Sequence, residues 1–355
     1  MNKVVKDCVD FIEERSDEIA EESVKHQYEL QPEIWEKYGE AGYRRSIKDV
    51  KYHLSYINEA ISNSNQSLLM DYIAWLKVLF TELKFPDEGL PMTFKCIRDT
   101  LNKFLPDEYK SISLPYLDSG IQQISKLPSS IPSFIEDEMP LSDLAKKYLD
   151  ALLKGDRNDA SQMIIKAVEN GTSIKNIYMY VFQRSQHEIG RLWQTNKITV
   201  AQEHYCTAAT QLIMSQLYPY IFSTDKNGLK FVGACVGEEL HEIGIRMVAD
   251  FFEMEGWDTY YLGANTPIQS ILQTTRDQEA DILGLSVTIT FHMNMLNNII
   301  EAVRASDIGS NVKIMVGGYP FNAASDLWKQ VGADGYARDA QEAIATASAL
   351  VSEQN

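Results

Sequence analysis

Glu239 and His241 stand two residues apart in the stretch Phe231-Val-Gly-Ala-Cys-Val-Gly-Glu-Glu-Leu-His-Glu-Ile-Gly244, which runs from an apolar strand through a loop into a helix. That spacing suits metal binding. A carboxylate able to accept one ring N–H fixes the tautomer of an imidazole, raises its basicity and leaves the other nitrogen for a metal. A lone histidine in such a loop is commonly just a partly exposed polar residue. Its place matters here, because ligands of open α/β sheets gather at the carboxyl ends of parallel strands.

The elements that must position this loop follow from Leu229 onward. Strand-like runs at 230–236, 258–262, 282–287, 312–316 and 335–337 alternate with helical stretches at about 242–255, 266–278, 292–305, 321–330 and 339–352. Five βα units predict a doubly wound, parallel, five-stranded Rossmann-like sheet over residues 228–355. His241, Gly263, Ser286 and Gly317 then fall at its carboxyl edge. Upstream, residues 140–225 carry four helical stretches, 141–153, 158–170 (ended by Gly171), 173–193 and 200–222, as in an antiparallel four-helix bundle with short loops. A Ser- and Pro-containing linker at 127–139 separates these from an all-helical amino-terminal module, 1–126. Its helices are read at 5–22, 33–43, 46–62, 68–83, 90–104 and 114–127, with Asn65 or Ser67 as a cap.

Glu239-Leu-His241-Glu-Ile-Gly244 resembles the Asp-x-His-x-x-Gly signature of cobalamin-binding domains, with Glu in place of Asp. After 41 intervening residues, Ser286-Val-Thr288 resembles the family's Ser-x-Leu, and after 28 more Gly317-Gly318 resembles its paired glycines. The resemblance implies that His241 is the lower cobalt ligand, that Glu239 supports it, and that Gly244 belongs to the same motif. It also implies that Ser286 and Thr288 hold the nucleotide tail and that Gly317 and Gly318 allow close backbone approach.

Within the bundle, Trp193 is followed after nine residues by Glu203-His204. This is similar to the Trp-x9-Glu-His motif of CarH/LitR-type adenosylcobalamin photoreceptors. The resemblance implies a bundle that caps the upper cobalt face, with Trp193 packed on an adenosyl group, Glu203 bonded to it and His204 nearby. Two features depart from it. Gln194 stands where some of these photoreceptors carry a second, cobalt-binding histidine, leaving His204 and His187 as the bundle histidines. The amino-terminal module does not resemble their DNA-binding domain: its 22 acidic and 16 basic residues leave it at −6, with no basic recognition helix.

The aromatic residues of that module, Tyr28, Trp35, Tyr38, Tyr43, Tyr52, Tyr56, Tyr72, Trp75 and Phe80, with His53 as a polar handle, fit a helical core, a pocket for a flat chromophore or a dimer face. A net charge of −17 argues against unassisted nucleic-acid binding and weakens an anionic-membrane reading. With no long apolar run and no apolar stretch behind the first residues, a soluble, cytoplasmic protein is expected. Cys8, Cys96, Cys206 and Cys235 lie singly, without metal or disulfide spacing.

Two functions fit this pattern. The first is a non-catalytic light sensor that binds adenosylcobalamin between cap and sheet and changes conformation or assembly on Co–C photolysis. Its partners would be a second copy or a downstream signalling protein, and a second tetrapyrrole of the bilin type could sit in the amino-terminal module. The second is a corrinoid methyl-carrier subunit of a methyltransferase system. An adenosylcobalamin mutase would need a separate barrel of about 250 residues, for which there is no room.

Overall fold

The computed structural model describes residues 2–222 and 224–352. Met1, Ser223 and 353–355 lie outside the described residues, and with them the first residue of the expected amino-terminal module, one residue of the expected bundle and the last three of the expected sheet domain. The chain divides into two compact units, Met1–Ile131 and Pro132–Asn355.

The first unit is helical throughout. Its principal helices are Lys3–Glu14, Ser16–Leu30, Gly39–Ser62, Gln66–Glu82, Gly89–Phe104 and Asp107–Gln123. Asn65 caps the fourth, accepting from the Ser67 backbone N–H at 3.0 Å. The single helix expected over 5–22 is two, broken at Arg15, whose guanidinium bonds Glu18 and lies over the rings of Phe11 and Phe104. The helix expected from Ser46 begins earlier, at Gly39. Many of the aromatics are packing residues: Tyr56 stacks on Tyr72 at 3.5 Å, Tyr28 meets Tyr43 edge-on at 4.9 Å, and Trp35 and Tyr72 are buried. Tyr38 and Tyr52 are exposed.

The second unit joins a helical bundle to a parallel sheet. The strands are β1 (Lys230–Cys235), β2 (Asp258–Tyr261), β3 (Ile282–Ser286), β4 (Lys313–Gly317) and β5 (Gly335–Tyr336), in the order β2-β1-β3-β4-β5. The central strands are nearly continuous apolar runs because helices cover both faces. The order reverses between β1 and β3, and open sheets of this kind bind ligands at that crevice. Register aligns Cys235 with Ser286 and Ser286 with Gly317, so the three strands end on one line.

One helix, Ile243–Met254, serves both layers. Its Ile245, Ala249 and Phe252 pack with Phe231 and Trp257 against the sheet, while Met247 and Phe251 belong to the bundle core around Tyr148, Tyr178 and Phe182. Burial of each such side chain contributes about 1.5–3 kcal/mol, which fixes the loop preceding this helix between the layers.

The bundle helices are Ser142–Leu153, Arg157–Glu169, a third that runs from Ile174 to Gln194 with a π-helical turn at Ile177–Phe182, and Val200–Gln216. The last stops short of the expected Phe222. Pro219, lacking an N–H, cannot continue the helical ladder and instead opens the short helix Tyr218–Ile221. The expected helix at 321–330 is likewise two short ones, Tyr319–Ala323 and Leu327–Gln330. In other respects the expected fold class is the observed one.

Candidate functional site

The loop after β1 is built around Glu239, which is wholly buried. Its Oε1 accepts from the His241 backbone N–H at 3.0 Å and from His241 Nδ1 at 2.5 Å. Its Oε2 accepts from the backbone N–H groups of Thr288 and Ile289, both at 2.8 Å, and from His292 Nδ1 at 3.2 Å. Burial opposes the charge of Glu239, but hydrogen bonds from the two histidines and from backbone outweigh it and hold the carboxyl well below the usual carboxylate range. An ionised Glu239 requires its histidine partner to donate, so the His241 proton sits on Nδ1 and Nε2 keeps its lone pair.

His241 thus presents Nε2 as an acceptor on the exposed side of the loop. The bond to Glu239 raises its proton affinity against the opposing effect of burial, and over half of its side chain is exposed. Around it, Leu240 is strongly exposed, and a Cβ on Gly244 would meet nothing within 4 Å. Among the described residues no group of three or more His, Cys, Asp or Glu side chains is gathered as for a metal ion. A bare metal ion would need several protein ligands. One basic imidazole beside open space fits a metal that arrives with its own equatorial ligands, as cobalt does in a corrin.

The other residues singled out in the sequence fall at the same edge in different roles. Ser286 ends β3 and is buried; its carbonyl accepts from Val236 N–H at 3.3 Å. Thr288 gives its backbone N–H to Glu239, which links the tail motif to the histidine loop. Gly317 is tight against the Ala337 carbonyl, 3.1 Å from where a Cβ would lie. Gly318 has φ +105°, and a Cβ there would come within 1.9 Å of the Val287 carbonyl. The chain's own backbone lies where a side chain on Gly318 would be, so a branched residue there would break the fold of the loop whatever the glycine pair faces on its other side.

Trp193 and Glu203 lie on either side of a tight corner. Trp193 lies in the last turn of Gln183–Gln194, Asn196 takes the left-handed conformation at φ 53°, and Thr199 closes a capping box with Gln202 at the start of Val200–Gln216. Trp193 is 42% exposed. Glu203 accepts from Thr207 at 2.9 Å and stands 3.5 Å from the exposed His204, and its charge is felt at His241, raising that imidazole's proton affinity. Gln194 is buried. The bundle is fastened to the sheet by Gln211 to Glu242 at 2.8 Å, Arg246 to Ser215 at 2.7 Å, and Tyr178, in the π-helical turn, to Asp250 at 2.8 Å. Burial pushes the Asp250 carboxyl up to about 6.

Sequence reasoning missed His292 and Glu242. His292 follows β3 in the next carboxyl-end loop, 51 positions beyond His241, and no motif marks it; only its place after a strand end could have raised it. Glu242, adjacent to His241, bonds Tyr261 at 2.6 Å and the Ala264 N–H at 3.0 Å.

Residues 229–345 match the family model of the B12 binding domain, and residues 144–218 match a second B12 binding domain model. The chain is a cobalamin-binding protein. The chain is similar to dimethylamine corrinoid proteins 1 and 2 of Methanosarcina acetivorans. Identity is 29% over 171 residues (46% of this chain, 78% of the relative) for the first and 28% over 220 residues (59% and 96%) for the second. The fold is shared with the monomethylamine corrinoid protein of Methanosarcina barkeri, at TM-score 0.53 and 18% identity, covering 60% of this chain and all of that one. Residues 3–124 match the model for phycobilisome proteins.

These relatives overturn the light-sensor expectation. The cobalamin-binding assignment holds, but these relatives are corrinoid proteins named for dimethylamine, not CarH/LitR-type photoreceptors. Trp193-x9-Glu203-His204 therefore does not by itself specify light sensing. Among the described residues no helix is long and apolar enough to cross a membrane.

Proposed function

We propose that this chain is a corrinoid protein that carries a methyl group for a partner methyltransferase, with His241 Nε2 as the lower cobalt ligand and Glu239 as the group that fixes its tautomer. The observation that supports this most is the joint match of bundle and sheet to dimethylamine corrinoid proteins over nearly the whole length of the second relative. Bound corrinoid would supply a cobalt centre able to accept and release a one-carbon group. The chain's own residues then have distinct tasks. His241 and Glu239 would hold the cobalt, Ser286, Thr288, Gly317 and Gly318 would receive the nucleotide tail, and Trp193, Glu203 and His204 would shield the bound group from the bundle side. The partner would be a methyltransferase in place of a second copy or a signalling protein.

Affinities of the purified chain for methylcobalamin and adenosylcobalamin, measured by tryptophan quenching, test the reading. A carrier binds methylcobalamin at least as tightly as adenosylcobalamin. Binding restricted to adenosylcobalamin would sink the carrier reading.

For the amino-terminal unit, the match to phycobilisome proteins supports a tetrapyrrole of the bilin type as its ligand. Cys8 and Cys96 are buried, and burial pushes their thiols up to about 11 and about 12. A bilin would accordingly be held without a thioether bond, since the thiolate is the reacting form. Adding biliverdin to the full chain and following its absorption through gel filtration checks this; pigment that elutes entirely apart from the protein removes the reading.

A further inference from the structure

Glu203 is the last member of a hydrogen-bonded chain that begins in the bundle core. Tyr148 and Thr210 are both fully buried, and their hydroxyls lie 2.9 Å apart. Thr210 meets the Gln186 amide at 2.9 Å, Gln186 meets the Thr207 hydroxyl at 3.1 Å, and Thr207 donates to Glu203 Oε1 at 2.9 Å. Burial pushes the Tyr148 phenol up, so it keeps its proton and starts the chain as a donor. Thr207 has one hydroxyl proton, for which Gln186 Oε1 and Glu203 Oε1 compete. A half-turn of the Gln186 amide, which exchanges its oxygen and nitrogen, removes that conflict. Tyr148 then donates to Thr210, Thr210 to Gln186, Gln186 to Thr207 and Thr207 to Glu203, and every dipole of the chain points at the carboxylate.

The chain ends outside the core, on the side of the bundle towards His241, whose proton affinity the charge of Glu203 raises. Gln186, Gly190 and Trp193 recur at helical spacing along one face of their helix, and a Cβ on Gly190 would meet nothing within 4 Å. Among the described residues no lysine or arginine pairs with Glu203, and only His204 stands near, at 3.5 Å. A solvated surface carboxylate needs no such anchoring. We propose that Gln186 and Thr207 are positioning residues that hold Glu203 as a fixed negative charge on the bundle side of a bound corrinoid, so that the cobalt takes an uncharged upper ligand in preference to an anion. The inference rests on the reading of a corrinoid bound over His241. Like charges repel most where water is excluded, and a carboxylate pinned by a polarised chain cannot swing aside to relieve the repulsion. A carrier gains from this, since small anions that would occupy the place of a methyl group are turned away.

The test uses the full chain loaded with aquacob(III)alamin, as wild type, Glu203→Gln, Thr207→Val and Gln186→Leu. Each is titrated with azide and, separately, with imidazole at about pH 8, where free imidazole is mostly uncharged, and the absorption of the bound cobalt is followed. The readout is the ratio of the azide affinity to the imidazole affinity, which a general loosening of the bundle would not move because it acts on both ligands. Glu203→Gln keeps the shape and removes the charge, and should raise the ratio about 10-fold, the scale of one charge facing another across a partly screened gap. Thr207→Val and Gln186→Leu free the carboxylate without removing it, and should raise the ratio about 3-fold. Equal ratios in wild type and Glu203→Gln overturn the inference. A raised ratio in Glu203→Gln alone overturns the part given to Gln186 and Thr207. Should Gln186→Leu fail to fold, Thr207→Val decides, by a shift in the same direction or none. A wild type that takes up no corrinoid, or a His241→Ala variant that keeps the axial-nitrogen signal of the cob(II)alamin form, would instead remove the reading on which the inference stands.

Discussion

His241 and His53 are each held through Nδ1 by an oxygen at close range, His241 by Glu239 at 2.5 Å and His53 by Tyr72 at 2.7 Å. Their proton affinities move in opposite directions. The carboxylate raises that of His241, whereas complete burial without a charged partner lowers that of His53 to about 4. His53 also stacks on Phe94 at 5.5 Å. The contact distance therefore says little about what a histidine can do. The charge of the partner and access to the other nitrogen decide it, and by both criteria His53 is a neutral core residue while His241 has the character that the proposed ligand role requires.

Acid offers the largest separation between the two. His53 stays neutral in the folded chain down to about pH 4, while an unfolded histidine takes up its proton near pH 6.5. Between those values the unfolded state binds more protons, so the stability due to a neutral His53 is complete above pH 6.5 and is lost as pH falls towards 4. The loss amounts to about 3 kcal/mol. Urea unfolding of the full chain at pH 7 and pH 4.5 should show a smaller drop for His53→Gln than for wild type. The same drop in both would mean that His53 is protonated in the folded state, and the contrast with His241 would collapse.

Removing the ligand comes next. His241→Ala should lower cobalamin affinity on the order of 100-fold, about 2.7 kcal/mol, with loss of the axial-nitrogen spectrum. An unchanged affinity and spectrum would end the assignment of His241 to cobalt. Glu239→Gln should cost less, about 10-fold, because the amide oxygen still accepts from Nδ1 but offers no charge. Equilibrium titration with cobalamin measures both, and a glutamine variant that binds as tightly as wild type would show that geometry, not charge, is what Glu239 supplies.

The sequence made His241 legible because its support is local: Glu239 is two residues away, and the strand-to-helix context is readable from a change of period. The five strands were legible for a similar reason, each being a short apolar run between helical stretches. What could not be read is what depends on chain segments far apart. His292 reaches Glu239 across 53 positions, and Gly318 owes its lack of a side chain to the carbonyl of Val287, a neighbour only once β3 and β4 lie side by side. Local chemistry also set limits that periodicity hides, as at Pro219 and Arg15, where amphipathic patterns continue but helices stop. The upper face was the least legible. Trp193 and Glu203 flank one corner at a spacing that a turn and a capping box explain fully, so the spacing by itself names no ligand.

The smallest effect tests the comparison at its other end. If partner charge separates the two histidines, deleting the uncharged partner of His53 should leave that imidazole neutral and harm only packing and one hydrogen bond. Tyr72→Phe removes the hydroxyl at 2.7 Å from His53 Nδ1 while keeping the ring that stacks on Tyr56 at 3.5 Å. Whichever of the two atoms donates, a buried ring nitrogen loses its partner, at a cost of about 1 kcal/mol. The cost should be nearly the same at pH 7 and at pH 6, because His53 stays neutral in the folded state at both values with or without the hydroxyl. Cobalamin affinity should not move, since His241 draws its support from Glu239. Urea midpoints at the two pH values and one cobalamin titration measure all of this. A variant whose penalty grows sharply towards pH 6 would mean that the tyrosine hydroxyl, like the carboxylate of Glu239, controls a proton, and hydrogen bonding rather than charge would then be what sets the two histidines apart.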